Sequence, residues 1–368
     1  MRIVRLTATP YRVALRSALT SALREQRWSE YGLIRLGLED GTEGIGEISL
    51  IWHGDGARLC PLVNEVVAPV VVGLDVFDYT AIVAATRRAL AFGRHSQTAV
   101  AAVEMAVLDA QGKLLGQPVV NLLGGRALER VRLSMSLSIA AVADCVREAE
   151  SYVEDGFTAV KVKAHRDADH LVATVAALRK EFGDDLGIRV DLNMACVTAK
   201  EAVRVIRRLH EYDVLSVEQP LPPDDLDGLA LVRERSDVAI MVDESVWTPE
   251  DARRVLSRGA ADFVNVYVAE AGGIRPARLI ADLAALHHVG IAIGSMPETG
   301  AGTSAAAHLA FSLPQLEHPS DVAGWQYHAD DVVSTDLEIA AGHLLPPTLP
   351  GLGIDVDEER LERCTIRS

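Results

Sequence analysis

The chain has 368 residues, 49% of them hydrophobic, and 52 acidic against 36 basic residues give it a formal net charge of −16. This length and composition support a large core and predict two domains. No basic run or basic–aromatic interleaving occurs, which excludes nucleic acid as an expected partner. No apolar stretch reaches the roughly 20 residues that span a bilayer, and the start "MRIVRLTATPYRVAL" lacks the features of a signal peptide. Four scattered cysteines suit a reducing compartment, so we expect a cytoplasmic protein without a membrane partner.

The first 125 residues predict an α+β domain. Residues 1 to about 50 have the alternation of strands, and "YGLIRLGLEDGTEGIGEISL" contains two apolar runs joined at "EDGTEG", which indicates a hairpin. Residues 59–124 have helical spacing, clearest in "SQTAVAAVEMAVLDAQGKLLG". "GIGEIS" lacks the third glycine and the following helix of a dinucleotide-binding turn, so it does not indicate that function.

From residue 130 onward, strand-like runs alternate with amphipathic helices at intervals of roughly 22 to 30 residues. The predicted strands are 131–139, 157–164, 187–193, 215–220, 239–245, 262–268 and 290–296, and an eighth is expected near 320–324. This repetition is typical of a (β/α)₈ barrel. The predicted boundaries are 1–125 for the α+β domain and 126–345 for the barrel, with the loop-rich tail 346–368 returning to the first domain.

Charged side chains gather where the predicted strands end, which is where barrels carry their function. Lys161 and Lys163 lie two residues apart on the second strand, so their side chains share one face. The following strands end in a series of polar residues: Asp191 and Asn193, Glu218, Asp243 and Glu244, Asn265 and Tyr267, and Glu298 just after the seventh strand.

Three of these carboxylates predict a metal site. Asp191, Glu218 and Asp243 lie 27 and 25 residues apart, one βα unit each, so they converge at one rim. Unpaired, they would repel one another strongly at low dielectric. A divalent hard cation resolves the repulsion, and Mg²⁺ is usually held by carboxylate oxygens with positions left for water or substrate.

The ordered set of motifs resembles the enolase superfamily, within it the mandelate racemase/muconate lactonizing enzyme subgroup. The matching stretches are "KVK" (161–163), "DLN" (191–193), "EQP" (218–220), "DES" (243–245) and "GSMPETG" (294–300). The stretch 101–125 resembles that family's domain junction, and "PGLGIDVDEERL" resembles its C-terminal return. The resemblance implies an α/β fold, a modified TIM (β/α)7–8 barrel under an N-terminal α+β capping domain, with Mg²⁺ held by Asp191, Glu218 and Asp243.

The resemblance also implies a small-molecule carboxylate substrate whose α-proton is abstracted, giving an enediolate that Mg²⁺ stabilises. Lys163 is then the base, because a neighbouring cation and a metal keep a lysine neutral. Lys161 would keep the pKa of Lys163 low and contact the substrate carboxylate. Asn193 would support the metal shell, or cap a strand end. Glu244, adjacent to Asp243, is the alternative third ligand.

The chain departs from the family at the end of the sixth strand, where "DFVNVYVAEAGGI" carries Tyr267 in place of the usual lysine. A tyrosine of pKa ~10 is a poor base at neutral pH. Tyr267 could instead donate a proton or shape the pocket, and Glu298 could hydrogen-bond or act as an acid. A one-base reaction is therefore favoured: β-elimination by a dehydratase or other lyase, or cycloisomerisation. His165 is a possible proton donor or a solvent-facing side chain.

Substrate selection is expected from capping-domain loops that carry Trp28, Trp52 and His53, which could equally be surface aromatics. Asp321 could face a substrate ammonium or iminium group, as expected for a hydroxylated imino acid, or cap a helix.

Two other functions compete with this hypothesis. One is a racemase or epimerase of an amino or hydroxy acid derivative. The other is a non-catalytic barrel that retains metal and binds a ligand. A homo-oligomer is expected from the resemblance.

Overall fold

The computed structural model describes residues 1–20, 25–50, 56–91, 93–164 and 167–367. No helix within these ranges is long and apolar enough to cross a membrane.

The N-terminal region begins with an antiparallel sheet of strands β1 (Ile3–Thr20), β2 (Glu25–Leu38) and β3 (Glu43–Ile48), in the order β1-β2-β3. The predicted hairpin at "EDGTEG" is confirmed, because β2 and β3 pair up to Gly37 and Glu43. Its turn is closed by the bond from the Leu38 N–H to the Thr42 carbonyl, and the Asp40 carboxylate accepts the Thr42 N–H. Such a side-chain bond two residues along the chain is typical of aspartate in turns.

Helices follow this sheet in the chain: α1 (Cys60–Leu62), α2 (Ala68–Val71), α3 (Tyr79–Leu90), α4 (Ser96–Leu115) and α5 (Val119–Leu122). Helix α4 packs directly on β3 at Gly44 and Gly46. A Cβ atom at these positions would lie 2.0 Å from the Ala106 carbonyl oxygen and 1.9 Å from that of Ala102. The glycines of "GIGEIS" therefore serve close backbone packing between sheet and helix.

The second region contains a parallel sheet in chain order, as the sequence predicts. Its strands are β5 (Met135–Ser136), β6 (Ala159–Lys163), β7 (Gly187–Asp191), β8 (Ser216–Glu218), β9 (Ile240–Val242), β10 (Phe263–Val266) and β11 (Gly290–Ile293). The helices along it are α6 (Val142–Glu154), α7 (Ala168–Phe182), α8 (Ala199–His210), α9 (Leu226–Glu234), α10 (Pro249–Ser257), α11 (Val268–Ala271), α12 (Ile274–Leu286) and α13 (Gly300–Phe311). The prediction of one strand over 131–139 is wrong, since β4 (Val131–Arg132) belongs to a different sheet from β5.

The sheet closes into a modified barrel through Ser320 and Asp321. The Asp321 N–H donates to the Ile293 carbonyl on β11 at 2.8 Å, and the Ser320 carbonyl accepts the Ser134 N–H at 2.9 Å. The segment expected to form the eighth strand is thus reduced to an isolated bridge between Leu133 and Ser320 within the described ranges.

The C-terminal segment contains β12 (Val333–Thr335), β13 (Ile339–Ala340), β14 (His343–Leu344), β15 (Ile354–Val356) and α14 (Glu358–Cys364). Strand β14 pairs with β4, and β15 pairs with β12. Both ends of α14 reach the N-terminal sheet. Glu358, its first residue, pairs with Arg35 on β2 at 2.6 Å, and just after the helix the Ile366 N–H donates to the Pro10 carbonyl at 2.9 Å. The division at 125/126 and 345/346 stays a prediction.

Candidate active site

The register of the parallel strands brings the predicted lysines and acids to one rim. Lys163 lies opposite Asp191, Asp191 lies opposite Glu218, and Glu218 lies opposite Met241, two residues before Asp243. Because side chains alternate along a strand, Lys161, Lys163, Asp191 and Glu218 all point to the interior of the barrel.

The two lysines are accompanied by carboxylates rather than left alone in the core. The Lys161 ammonium lies 2.8 Å from Asp321 Oδ2 and 3.4 Å from Glu218 Oε1. The Lys163 ammonium lies 3.7 Å from Asp191 Oδ2. Burial lowers the pKa of Lys161, but the charges of Asp321 and Glu218 outweigh it and raise that pKa above its ordinary value. Lys161 is therefore a fixed positive charge beside Lys163.

Arg189 is a member of this cluster that the sequence reasoning missed. Its side chain is fully buried. It donates to Asp321 Oδ1 at 2.7 Å, to the Pro319 carbonyl at 3.0 Å and to Glu218 Oε2 at 3.1 Å. The available signal was its spacing, because Arg189 precedes Asp191 by two residues and so shares its face.

Asp321 is engaged on both carboxylate oxygens, one by Arg189 and the other by Lys161. The prediction that Asp321 faces a substrate ammonium group is untested. Its two internal cations argue for a role in the charge balance of the barrel, because they already satisfy the carboxylate.

The three predicted metal ligands are buried and differ in their protonation preference. Burial raises the pKa of Asp191, and the charge of Glu218 raises it further. Burial, Glu244 and Glu218 raise the pKa of Asp243 well above its usual range. Burial raises the pKa of Glu218 too, but Lys161 and Arg189 lower it more, to about 2. The rim therefore holds more acidic groups than its internal cations neutralise.

This donor set fits a hard divalent cation, because carboxylate oxygens are its preferred ligands and a cation relieves their repulsion. A buried oxygen beside the set, Glu244 Oε2, has no hydrogen-bond partner among the described residues. Within those same residues, no three His, Cys, Asp or Glu side chains are already arranged to hold a metal ion. The metal site is thus supported by donor chemistry and strand register, and its ligands stay predictions.

Asn193 links the ends of two strands. Its backbone N–H donates to Asp191 Oδ1 at 2.9 Å, and its side chain donates to Glu244 Oε1 at 3.3 Å. Burial and the charge of Asp191 raise the pKa of Glu244 to about 7. The Glu244 carbonyl also accepts a bond from Arg94 of the N-terminal region at 3.1 Å.

Tyr267 follows β10 and faces the acids. Its side chain is 7% exposed, and its hydroxyl donates to Asp243 Oδ2 at 3.1 Å. Burial and the charge of Asp243 raise the pKa of Tyr267 well above 10. One helical turn later lies Glu270, which the sequence reasoning did not select. It is 4% exposed, and burial and Glu244 raise its pKa well above the usual range.

Glu298 lies in the loop that follows β11, and its side chain is buried. The Ser295 hydroxyl donates to its Oε2 at 2.5 Å, and burial raises its pKa to about 7. Glu47 on β3, also missed, reaches the same loop: it accepts the N–H groups of Thr299 at 3.2 Å and Gly302 at 3.3 Å. The N-terminal sheet therefore contacts the loop that carries Glu298.

The expected substrate residues of the capping loops are only partly described. Trp28 on β2 is 51% exposed, and the Arg12 guanidinium lies 5.5 Å from the centre of its ring. Trp52, His53 and His165 lie outside the described residues. Their roles in substrate binding and proton donation stay predictions.

The barrel carries two interior lysines and three acids at one rim, and the α+β region contacts the loop after β11. Polar side chains gathered at the carboxyl ends of barrel strands are typical of barrel enzymes. Family models agree with this class: "Mandelate racemase / muconate lactonizing enzyme, N-terminal domain" matches residues 3–124, and "Enolase C-terminal domain-like" matches residues 144–360.

Individual relatives match over nearly the whole chain. The L-Ala-D/L-Glu epimerase of Bacillus subtilis (strain 168) is 31% identical over 360 residues, covering 96% of this chain and 97% of the epimerase. Muconate cycloisomerase 1 of Pseudomonas putida is 30% identical over 366 residues, covering 97% and 94%. The crystal structure of muconate lactonizing enzyme from Pseudomonas fluorescens complexed with muconolactone superposes with a TM-score of 0.94 at 28% identity, covering 99% of each chain.

The chain belongs to the mandelate racemase/muconate lactonizing enzyme family of the enolase superfamily. It is an enzyme of that superfamily's isomerase and lyase group. Members of the family use a divalent metal ion, typically Mg²⁺, and act on small-molecule carboxylates.

Proposed function

We propose that this protein is a Mg²⁺-dependent enzyme that removes the proton α to a substrate carboxylate and completes a one-base reaction, either β-elimination or cycloisomerisation. The observation that carries the proposal is the asymmetry of the barrel rim. Lys163 lies on one side, whereas the sixth strand ends in Tyr267, whose hydroxyl hydrogen is donated to Asp243.

Asp191, Glu218 and Asp243 would hold the ion. When bound, Mg²⁺ would make the α-proton of a carboxylate more acidic and offset the negative charge that develops as the proton leaves. The substrate would therefore present its carboxylate to this rim. Small-molecule carboxylates are the corresponding substrates in the family.

Lys163 is the proposed base. Its ammonium lies 3.7 Å from Asp191 Oδ2, one of the proposed metal ligands, and it shares the interior face of β6 with Lys161. Lys161 itself cannot share this role, because Asp321 and Glu218 keep it protonated. It instead supplies fixed positive charge next to the reacting carboxylate.

The second half of the reaction needs a proton donor rather than a second base. Glu298, with a pKa raised to about 7, holds a proton over part of the physiological range and can give it to a leaving group or to carbon. Tyr267 keeps its hydrogen in the bond to Asp243, and a neutral phenol is too weak a base to take a proton from carbon. Loss of a β-substituent would make the enzyme a dehydratase or other lyase. Protonation during ring closure or opening would make it a cycloisomerase.

A racemase or epimerase is the alternative reaction, favoured by the 31% identity to the L-Ala-D/L-Glu epimerase. It would need a proton acceptor on the other face of the α-carbon. A non-catalytic metal-binding barrel is the alternative of another class, and the retained lysine pair and acids weigh against it.

The test is turnover in D₂O with Mg²⁺, followed by ¹H NMR. The panel would contain β-hydroxy imino acids, sugar acids, muconate-type dicarboxylates and dipeptides. A lyase gives an unsaturated or keto product and a cycloisomerase gives an isomer of the substrate. A racemase instead gives the mirror-image or epimeric substrate with deuterium at the α-carbon. The one-base proposal fails if epimerisation with label on both faces is the main reaction. Activity on sugar acids alone would remove the imino acid hypothesis.

A further inference from the structure

Strand β10 and the residue after it carry two polar side chains, at positions where the mechanism above uses no acid or base. Asn265 is completely buried and Tyr267 nearly so. They are two residues apart, so alternation along the strand points both toward the barrel interior. Between them they contact two of the three acids proposed to hold Mg²⁺.

The contacts form a continuous chain of hydrogen bonds. Asn265 Nδ2 lies 3.1 Å from Glu218 Oε1 and 3.3 Å from the Tyr267 hydroxyl, and that hydroxyl lies 3.1 Å from Asp243 Oδ2. An amide nitrogen can only donate, so it gives one hydrogen to Glu218 and one to the phenol oxygen. The phenol hydrogen is then left for Asp243. Turning the amide over would set its oxygen against Glu218, so the direction of the chain is fixed by the carboxylates at its two ends.

The tyrosine ring is held in this place by the backbone of the next strand. Gly294 follows β11, and its N–H donates to the Val266 carbonyl at 3.0 Å. A Cβ atom on Gly294 would lie 2.3 Å from Tyr267 Cζ. The ring therefore rests on bare backbone, and any side chain at position 294 would displace it.

We propose that Asn265 and Tyr267 are positioning residues that orient the carboxylates of Glu218 and Asp243 toward one shared divalent cation. The end of β10, the sixth strand expected for the barrel, thus orients the metal ligands instead of supplying a second base. This inference rests on the proposed function only in taking Glu218 and Asp243 as ligands. Partners that orient metal ligands typically contribute 10- to 100-fold to metal affinity.

The experiment is calorimetric titration of the metal-free full chain with Mg²⁺ alone. The test variant is Tyr267→Phe, which keeps the ring and removes only the hydroxyl. We expect its Mg²⁺ affinity to fall about tenfold, with a melting temperature in EDTA close to that of the parent. Asn265→Ser and Gly294→Ala are expected to weaken Mg²⁺ binding in the same direction.

The matched control is Tyr31→Phe, another buried phenol, whose hydroxyl lies 2.9 Å from the Pro297 carbonyl and 2.8 Å from His328 Nε2 instead of against Glu218 or Asp243. Its Mg²⁺ affinity should match that of the parent. The inference is overturned if Tyr267→Phe binds Mg²⁺ with an affinity within twofold of the parent. An equal loss in Tyr31→Phe also overturns it, because the effect would then be general. Asp243→Asn separates the two proposals: if that variant binds Mg²⁺ normally, the metal site itself is wrong.

Discussion

The carboxylate of Glu47 accepts the backbone N–H of Thr299, and so joins the N-terminal sheet to the first residues of helix α13. The same carboxylate also receives the Gly302 N–H and the Tyr11 hydroxyl. Helix N-termini have unpaired N–H groups and a partial positive charge, so a buried carboxylate there is well placed. Glu298 lies just before this N-terminus. Glu47 on β3 therefore holds the end of the loop that carries Glu298, although Glu47 itself belongs to the N-terminal sheet.

Replacing Glu47 tests this connection. Glu47→Ala leaves the Thr299 and Gly302 N–H groups and the Tyr11 hydroxyl without their buried acceptor, so we expect the free energy of unfolding to fall by about 2–4 kcal/mol. The control is Glu30→Ala, which breaks an ion pair with the exposed Arg12 and should cost below about 1 kcal/mol. Urea denaturation measures both. Equal losses of unfolding free energy in the two variants would show that the buried contacts of Glu47 contribute no more than an exposed ion pair.

Lys163 is expected to carry the proton transfer. Lys163→Ala should reduce α-proton exchange in D₂O at least 10²- to 10⁴-fold, because a positioned base contributes about that factor. Mg²⁺ binding measured by titration should persist, since the lysine is not a ligand. Lys180→Ala, on the exposed face of α7, is the control. Exchange that survives in Lys163→Ala would show that another group is the base.

The third metal ligand can be decided between the neighbours Asp243 and Glu244. Asp243→Asn should abolish measurable Mg²⁺ binding, because it removes a ligand charge. Glu244→Gln should change affinity by no more than a few-fold, since Glu244 contacts Asn193 on the adjacent strand end. Titration with Mg²⁺ compares them directly. The reverse order of effects would assign the ligand to Glu244.

Stability should decline with rising pH because of Glu298. Its folded pKa is raised to about 7 from 4.5. The folded state therefore holds the proton more tightly than the unfolded state does. This contribution is complete below the unfolded pKa and is lost as the pH rises through about 7, with a size on the order of 3 kcal/mol.

Urea denaturation between pH 5 and 8, in saturating Mg²⁺, measures this dependence. Glu298→Gln should flatten it, whereas Glu338→Gln, at an exposed position, should keep the slope of the parent. An unchanged slope in Glu298→Gln would mean that the folded protein does not hold this proton.

Arg189 is expected to be essential for stability. Arg189→Met leaves Glu218 and Asp321 with one fewer buried cation, and breaking a buried pair in this way costs about 3–5 kcal/mol. Arg233→Met breaks a pair with Asp262 in which the arginine is 41% exposed, so we expect a loss under about 1 kcal/mol. Similar denaturation midpoints for the two variants would contradict this assignment.

Much of the architecture follows from the sequence. The alternation of Lys161 with Lys163, and the one-unit spacing of Asp191, Glu218 and Asp243, predicted a shared rim, and the strand register brings these residues together. The prediction of one strand over 131–139 was wrong, because Val131 and Arg132 pair with the C-terminal strand β14. The sequence around Val131 and Arg132 does not indicate that their strand partner lies more than 200 positions away.

The sequence by itself determined which residues alternate along each strand and where each strand ends, because backbone geometry imposes a period of two and parallel strands share an edge. Only the tertiary structure decided the partners of these side chains. Arg189 and Lys161 reach Asp321 because the barrel closes, and Tyr267 reaches Asp243 because Gly294 leaves room for its ring. Contacts between distant segments depend on how elements pack, and packing distances of a few ångströms are not encoded in the spacing of residues along one strand.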